Sequence, residues 1–154
     1  MRVAIVFLAL IGLAGAEARA QEKPVFSGEW TMNAAESDFG QFPAPSSFVR
    51  KIEHDDPELT YTTTQSGPAG TTVSELSYKT DGTETVNEVT GARTSGSARW
   101  EGDVLEIRST RGGGATEIRM VERWSLSADR RRLRVDGTVE TAAGAAKLVI
   151  VLER

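Results

Sequence analysis

The sequence predicts an all-β fold, an antiparallel up-and-down meander of about ten strands closed into a barrel. Ten short runs in which apolar and polar residues alternate follow one another from Phe26 to the end of the chain, the period-2 pattern of strands with one wet face. Turn-forming residues punctuate them at short intervals. Pairing neighbouring runs about those turns puts apolar side chains opposite one another on one face and opposite charges on the other.

The first run, 26–32, places Phe26, Gly28, Trp30 and Met32 on one side and Ser27, Glu29 and Thr31 on the other. Next, Asn33-Ala-Ala-Glu36 reads as a helix start with an Asn N-cap and Glu at the third position. Gly40, Pro43 and Pro45 stop it after about two turns. The remaining runs cover 48–54, 59–66, 71–80, 83–91, 96–101, 104–111, 116–127, 132–141 and 146–153. Asp81-Gly82 matches a type I′ hairpin and Gly102-Asp103 a type II′ hairpin. Residues 67–70, 112–115 and 142–145 read as four-residue loops, and Asp129-Arg130 as a two-residue turn.

These turns fix registers. They predict the apolar pairs Trp100 with Leu105, Leu126 with Leu133, Trp124 with Val135 and Ile52 with Tyr61. On the other face they predict Lys79 with Glu84, Arg99 with Glu106, Arg123 with Asp136, Arg119 with Glu140 and Glu140 with Lys147. Arg108 facing Arg119 is the one like-charge pair. Such a meander either closes as a barrel or folds into a two-sheet β-sandwich. The last run contains Leu148-Val-Ile-Val-Leu152 and is too apolar to leave as a free edge. Closure against the first run is therefore preferred.

Ahead of the strands, Arg2 is followed by an apolar run from Val3 to Ala16 and by Ala18-Arg19-Ala20, the pattern of a signal peptide cleaved after Ala20. Residues 1–20 are set aside on that reading, and residues 21–154 form a single domain, secreted or periplasmic. There is no cysteine, hence no disulfide and no lipid-modified thiol. The net charge of −4 argues against a nucleic-acid partner. Arg130-Arg131-Arg132 reads as a solvated loop tip. A monomer with no stable membrane insertion is expected.

Gly28-Glu29-Trp30 resembles the G-x-W start of lipocalins, in which the Trp lies across the closed end of the barrel. The longer pattern extends through Trp30-Thr-Met-Asn33, Ser37-Asp-Phe39-Gly40, Tyr78-Lys-Thr-Asp81-Gly82, Trp100-Glu-Gly102-Asp103 and Glu122-Arg-Trp124-Ser-Leu126. Together these resemble a group of secreted bacterial lipocalin-like (calycin-type) β-barrel proteins with no assigned activity. The resemblance implies structural roles for Gly28, Trp30, Asp81, Gly82 and Gly102, and supplies no catalytic residue. There is no T-D-Y motif, and the arginine that covers the Trp in lipocalins is here either Arg154 or Arg123.

Catalytic chemistry finds little support. His54 is the only histidine, and no G-x-S-x-G, P-loop or G-x-G-x-x-G occurs. His54-Asp55-Asp56 reads as a hydrated acidic turn, and no metal or other cofactor is expected. The inward face is more informative. It carries Arg50, Thr63, Gln65, Thr72, Ser74, Asn87 and Glu122 among its apolar residues. A dry core would not tolerate so many polar groups, so a wet cavity or an open mouth is expected. Arg50, Tyr61, Leu76, Asn87, Trp100, Glu122 and Trp124 are the candidate ligand-binding residues. Three functions compete: an extracytoplasmic binding protein for an apolar or amphipathic small molecule, a filled-barrel interaction module, and a barrel isomerase or lyase using Glu122 or His54.

Overall fold

The computed structural model describes residues 22–154, so the expected signal peptide lies outside the described residues. Ten strands are present: β1 (Gly28–Met32), β2 (Ser47–Asp55), β3 (Glu58–Gly67), β4 (Gly70–Lys79), β5 (Thr85–Val89), β6 (Ala92–Glu101), β7 (Val104–Arg111), β8 (Ile118–Leu126), β9 (Arg132–Thr141) and β10 (Gly144–Glu153). All belong to one antiparallel sheet in the order β4-β3-β2-β1-β10-β9-β8-β7-β6-β5. The last strand pairs with the first, and β4 and β5 at the two ends of the sheet lie alongside each other. The result is a nearly closed barrel, and the sandwich alternative falls away.

The alternation read from the sequence decides which side chains face in. Phe26, Trp30, Ile52, Leu59, Tyr61, Tyr78, Leu105, Ile107, Trp124, Leu133, Val135 and Leu152 are buried in one core. Trp30 closes one end, fully buried, its indole N–H donating to the Phe26 carbonyl at 2.8 Å. The covering arginine is Arg154: its guanidinium carbon lies 4.3 Å from the Trp30 ring centre, and its Nη1 donates to the Ser27 carbonyl at 2.7 Å. Arg123 sits on the outer face instead. Gly28 makes this contact possible. Its φ is +137°, and a Cβ there would meet Arg154 Nη1 at 3.2 Å, so any side chain is both strained and crowded.

Between β1 and β2 the expected helix does not form. Asn33 does act as a local cap, its Oδ1 accepting from the backbone N–H groups of Ala35 and Glu36. The chain makes a single turn before Asp38 pairs with Val149 and the Ser37 hydroxyl exchanges hydrogen bonds with Asn33 and Val151. Pairing with β10 captures these residues before a second turn can propagate, and it extends the short β1–β10 ladder.

Loop length accounts for most of the other differences. The 67–70 and 142–145 loops tighten to two-residue turns because Gly67 pairs with Gly70 and Thr141 with Gly144. Lys147 therefore faces Thr138 rather than Glu140. The expected 112–115 loop runs instead over 112–117 and contains a 3-10 turn, Gly114–Thr116, and the register it sets puts Arg108 opposite Val121. The expected clash with Arg119 disappears, and Arg119 pairs with Glu117 at 2.6 Å. A turn at Thr90-Gly91, with φ of +50° and +75°, starts β6 at Ala92. Gly102 takes φ +61° between β6 and β7. The apolar pairs Trp100–Leu105, Leu126–Leu133, Trp124–Val135 and Ile52–Tyr61 all form, as do Arg99–Glu106, Arg123–Asp136 and Arg119–Glu140.

The Asp81-Gly82 hairpin is the main correction. β4 and β5 share no ladder: Asp81 bridges to Arg99, and the Gly82 N–H donates to the Ala98 carbonyl at 2.8 Å. Only Gly82 has a positive φ, +88°, whereas a type I′ turn needs it at both central residues. Lys79 accordingly pairs with Glu58 at 3.3 Å, not with Glu84. The open seam is stapled by Asn87, whose Oδ1 accepts from the Ser77 N–H at 2.8 Å while Nδ2 donates to the Ser77 carbonyl at 3.0 Å. One side-chain amide thus stands in for a backbone partner.

Two substitutions separate the seam from the closed end. Asn87→Ala should speed amide hydrogen exchange at Ser77 and cost about 1 kcal/mol in urea unfolding, as for one modest hydrogen-bonded contact. Trp30→Ala should cost about 3–5 kcal/mol, because a fully buried aromatic is removed. Equal, small midpoint shifts for both would contradict the assignment of Trp30 to the core.

Candidate functional site

Inside the barrel, β2 presents Phe48, Arg50, Ile52 and His54 on alternate positions, all buried. From the opposite wall, β8 presents Met120, Glu122 and Trp124. Three strands, β1, β10 and β9, separate β2 from β8 along the shorter path around the sheet. Arg50 and Glu122 nevertheless meet across the interior, with side chains 7% and 8% exposed. Nη1 and Nη2 of Arg50 each lie 3.4 Å from Glu122 Oε1. Arg50 Nε donates to the Thr63 hydroxyl at 3.0 Å, and its guanidinium carbon lies 4.8 Å from the Tyr61 ring centre and 5.0 Å from that of Trp124. Tyr61 completes the group by donating to Glu122 Oε2 at 3.5 Å.

Burial, reinforced by the charge of Glu122, raises the Tyr61 hydroxyl well above the ordinary phenol range, and the same causes push Tyr78 up to about 12. Both remain proton donors at any physiological pH. The contacts around Glu122, at 3.4–3.5 Å, are long for charge-assisted hydrogen bonds, which run about 2.7–2.9 Å. The Trp124 indole nitrogen is fully buried and has no partner. The cluster therefore holds a matched pair of charges with unused hydrogen-bonding capacity.

Toward one end of the barrel the inward positions stop being buried. Leu76, Ser74, Met120 and Leu148 are half-buried, and Gln65 and Thr72 are exposed. Leu76 is the register partner of Tyr61 and Thr63 that of both Arg50 and Ser74, so these residues lead from the polar cluster toward the more exposed end of the barrel. Gly137, opposite Glu122, does not leave open space. A Cβ there would come within 2.6 Å of Leu148, which lies over it.

The other end is sealed by aromatic stacking. Phe26 stacks on Trp100 at 5.8 Å and on His54 at 5.6 Å, and meets Trp124 edge-on at 5.5 Å. His54 is thus buried on β2 and does not sit at a hydrated turn, as the alternation Phe48-Arg50-Ile52-His54 could have shown. Its Nδ1 accepts from the Phe26 N–H at 3.3 Å, and Nε2 faces Asp56 Oδ1 across a long 3.5 Å contact. Burial lowers its pKa and outweighs the opposing influence of Asp56 and Asp55. Burial pushes Asp56 the other way, but donors from Thr80, Trp100 and His54 hold it below the usual carboxylate range.

Of the seven residues the sequence nominates for ligand binding, Arg50, Tyr61, Glu122 and Trp124 form one cluster and Leu76 lies next to it. Trp100 belongs to the sealed end, where its indole N–H donates to Asp56 at 2.9 Å. Asn87 has its amide committed to the seam. Thr63 contributes directly to the cluster. Two recesses of about 320 and 370 Å³ are lined mostly by outward-facing or terminal-segment side chains such as Arg108, Arg119 and Glu140, or Glu22, Pro24 and Ser127. Neither includes Arg50 or Glu122. Among the described residues no group of three or more His, Cys, Asp or Glu is placed to hold a metal ion.

The fold so defined is a nearly closed, ten-stranded up-and-down β-barrel. Among solved structures the chain is similar to zebrafish ileal bile acid-binding protein complexed with cholic acid, with a TM-score of 0.52 and 18% identity over 84% of this chain and 98% of that one. It is similar to the fatty acid-binding protein of Drosophila melanogaster brain tissue, with a TM-score of 0.51 and 15% identity over 84% of this chain and 100% of that one. It also resembles human cRBP IV, with a TM-score of 0.54 and 13% identity over 85% and 98%. At these identities the likeness establishes the fold. No protein-family model matches the chain, and none of the curated proteins is similar to it in sequence.

The sealed end predicts a pH dependence. A folded-state pKa lowered for His54 means that the unfolded chain binds the proton more readily. Stability should be level above about pH 6.5, the free-histidine value, and fall as the pH drops through and below it. Protonation would also oppose the Nδ1 proton to the Phe26 N–H. Urea unfolding between pH 7.5 and 5.5 should show this decline in the natural chain and a flatter profile in His54→Gln. Parallel profiles would assign the pH dependence elsewhere.

Proposed function

We propose that this chain is an extracytoplasmic binding protein for an amphipathic small molecule, held in the barrel with its polar end at Arg50 and Glu122 and its apolar part toward Leu76, Met120 and Leu148. The observation that carries the reading is the buried, loosely bonded charge pair beneath half-buried inward residues. A core built only for stability gains little from such a pair, since burying two charges costs several kcal/mol each before their attraction is counted. The structural neighbours, named as bile acid- and fatty acid-binding proteins, support small-molecule binding in a barrel of this shape. Location outside the cytoplasm rests on Arg2, the apolar run Val3 to Ala16, and Ala18-Arg19-Ala20.

A filled barrel acting as an interaction module is the competing reading. The packing of Leu148 over Gly137 favours it. Native mass spectrometry of the purified protein distinguishes the two. A bound species of a few hundred daltons, or saturable Nile red fluorescence, is expected if the barrel binds ligand, and neither is expected if it is filled. On the same sample, intact mass should place the N-terminus of the exported form at Gln21. A membrane-bound form beginning at Met1 would overturn the export assignment.

A further inference from the structure

Resting on the binding reading above, we propose that the ligand's polar end is uncharged and both donates and accepts hydrogen bonds, as an alcohol or primary amide does, and that the barrel discriminates against carboxylates and amines. Charge balance carries this. Arg50 and Glu122 are both buried and each is the other's ion-pair partner. An incoming carboxylate must take Arg50 from Glu122, which leaves a buried carboxylate unpaired beside a second one. An ammonium group must take Glu122 and leave Arg50 unpaired. Either outcome strands a buried charge, which is strongly unfavourable.

A hydroxyl strands nothing. Arg50 Nη1 and Glu122 Oε1 are 3.4 Å apart, so one oxygen can sit beside the pair at about 2.8 Å from both, accepting from the guanidinium and donating to the carboxylate. The long Tyr61–Glu122 contact of 3.5 Å leaves the second carboxylate oxygen weakly bonded as well. The Trp124 indole N–H, buried without a partner in the ring on which Arg50 lies, is a spare donor that a neutral oxygen could satisfy. Thr63 holds Arg50 through Nε, leaving the Nη edge for this role. Tyr61 stays protonated and neutral, so it adds no compensating charge.

The test is displacement of Nile red from the purified protein at pH 7.5 by decanol, decanoate and decylamine, which share one chain length. Decanol should bind at least about tenfold more tightly than either charged analogue, a difference of about 1.4 kcal/mol. Glu122→Gln should then shift the preference toward decanoate, because Arg50 is left without its counter-ion, and Arg50→Gln should shift it toward decylamine. Decanoate or decylamine matching or exceeding decanol in the natural chain overturns this inference and leaves the binding reading standing. Nile red that neither binds saturably nor is displaced by any of the three overturns the binding reading and this inference together. The comparison on the natural chain decides the matter even if neither variant folds.

Discussion

The contact between Arg50 and Glu122 spans the barrel from wall to wall, and the interior is arranged around it. Two opposite charges held away from water demand hydrogen-bonding neighbours, and the chain supplies Thr63 and Tyr61 within reach, with Tyr78 stacked on Tyr61 at 6.2 Å. The faces of Tyr61 and Trp124 border the guanidinium, so the aromatic groups of the core double as its cation–π partners. The pair also divides the interior. On one side lie Phe26, Trp30, Leu105, Leu133 and Leu152, all fully buried. On the other lie Leu76, Met120 and Leu148, all partly exposed.

The sealed half has its own logic. Trp30 is held by Phe26 below and Arg154 above, so residues from the two ends of the described chain converge on a single indole. Arg154 also binds the carbonyls of Ser27 and Arg130. This ties the N-terminal strap to β10 and to the β8–β9 turn. Because β1 offers only two register pairs to β10, closure there depends on these side-chain contacts and on the Asp38–Val149 bridge. At the other seam Asn87 does a similar service between β4 and β5. Both places where the backbone ladder is thin are held by specific polar side chains.

Most of the architecture is legible in the sequence, and the reason lies in the strand repeat. Misplacing a loop, as at 142–145, where the chain turns in two residues, and at 112–115, where it takes six, shifts a register by two, which changes partners but leaves every side chain on its correct face. Arg50, Tyr61, Glu122 and Trp124 are therefore assigned inward correctly even though Lys147 and Arg108 receive the wrong neighbours. Two kinds of information are not in the alternation. One is a seam: Asp81-Gly82 has the composition of a hairpin, and only the long-range pull of Ala98 and Arg99 turns it into a crossing. The other is context for a polar residue. His54 sits beside two aspartates in the chain yet beside Phe26 and Trp100 in space, and the aromatic stack decides its burial.

A comparison within the molecule bears on what the central pair is for. Glu106 faces outward from β7 yet is as buried as Glu122, because Arg99, Arg108 and Arg123 cover it. Its oxygens receive Arg108 at 2.7 Å, Arg123 at 2.8 Å and Arg99 at 3.1 Å. Burial pushes its pKa up, but the three arginines outweigh this and hold it below the usual carboxylate range. The same chain thus satisfies one buried carboxylate with three short bonds and leaves another with one arginine and a tyrosine at 3.4–3.5 Å. Strands β7 and β8 carry both, on opposite faces of one sheet, so backbone geometry does not forbid a tight arrangement. The slack is confined to the face that lines the barrel, where an additional polar group could be received.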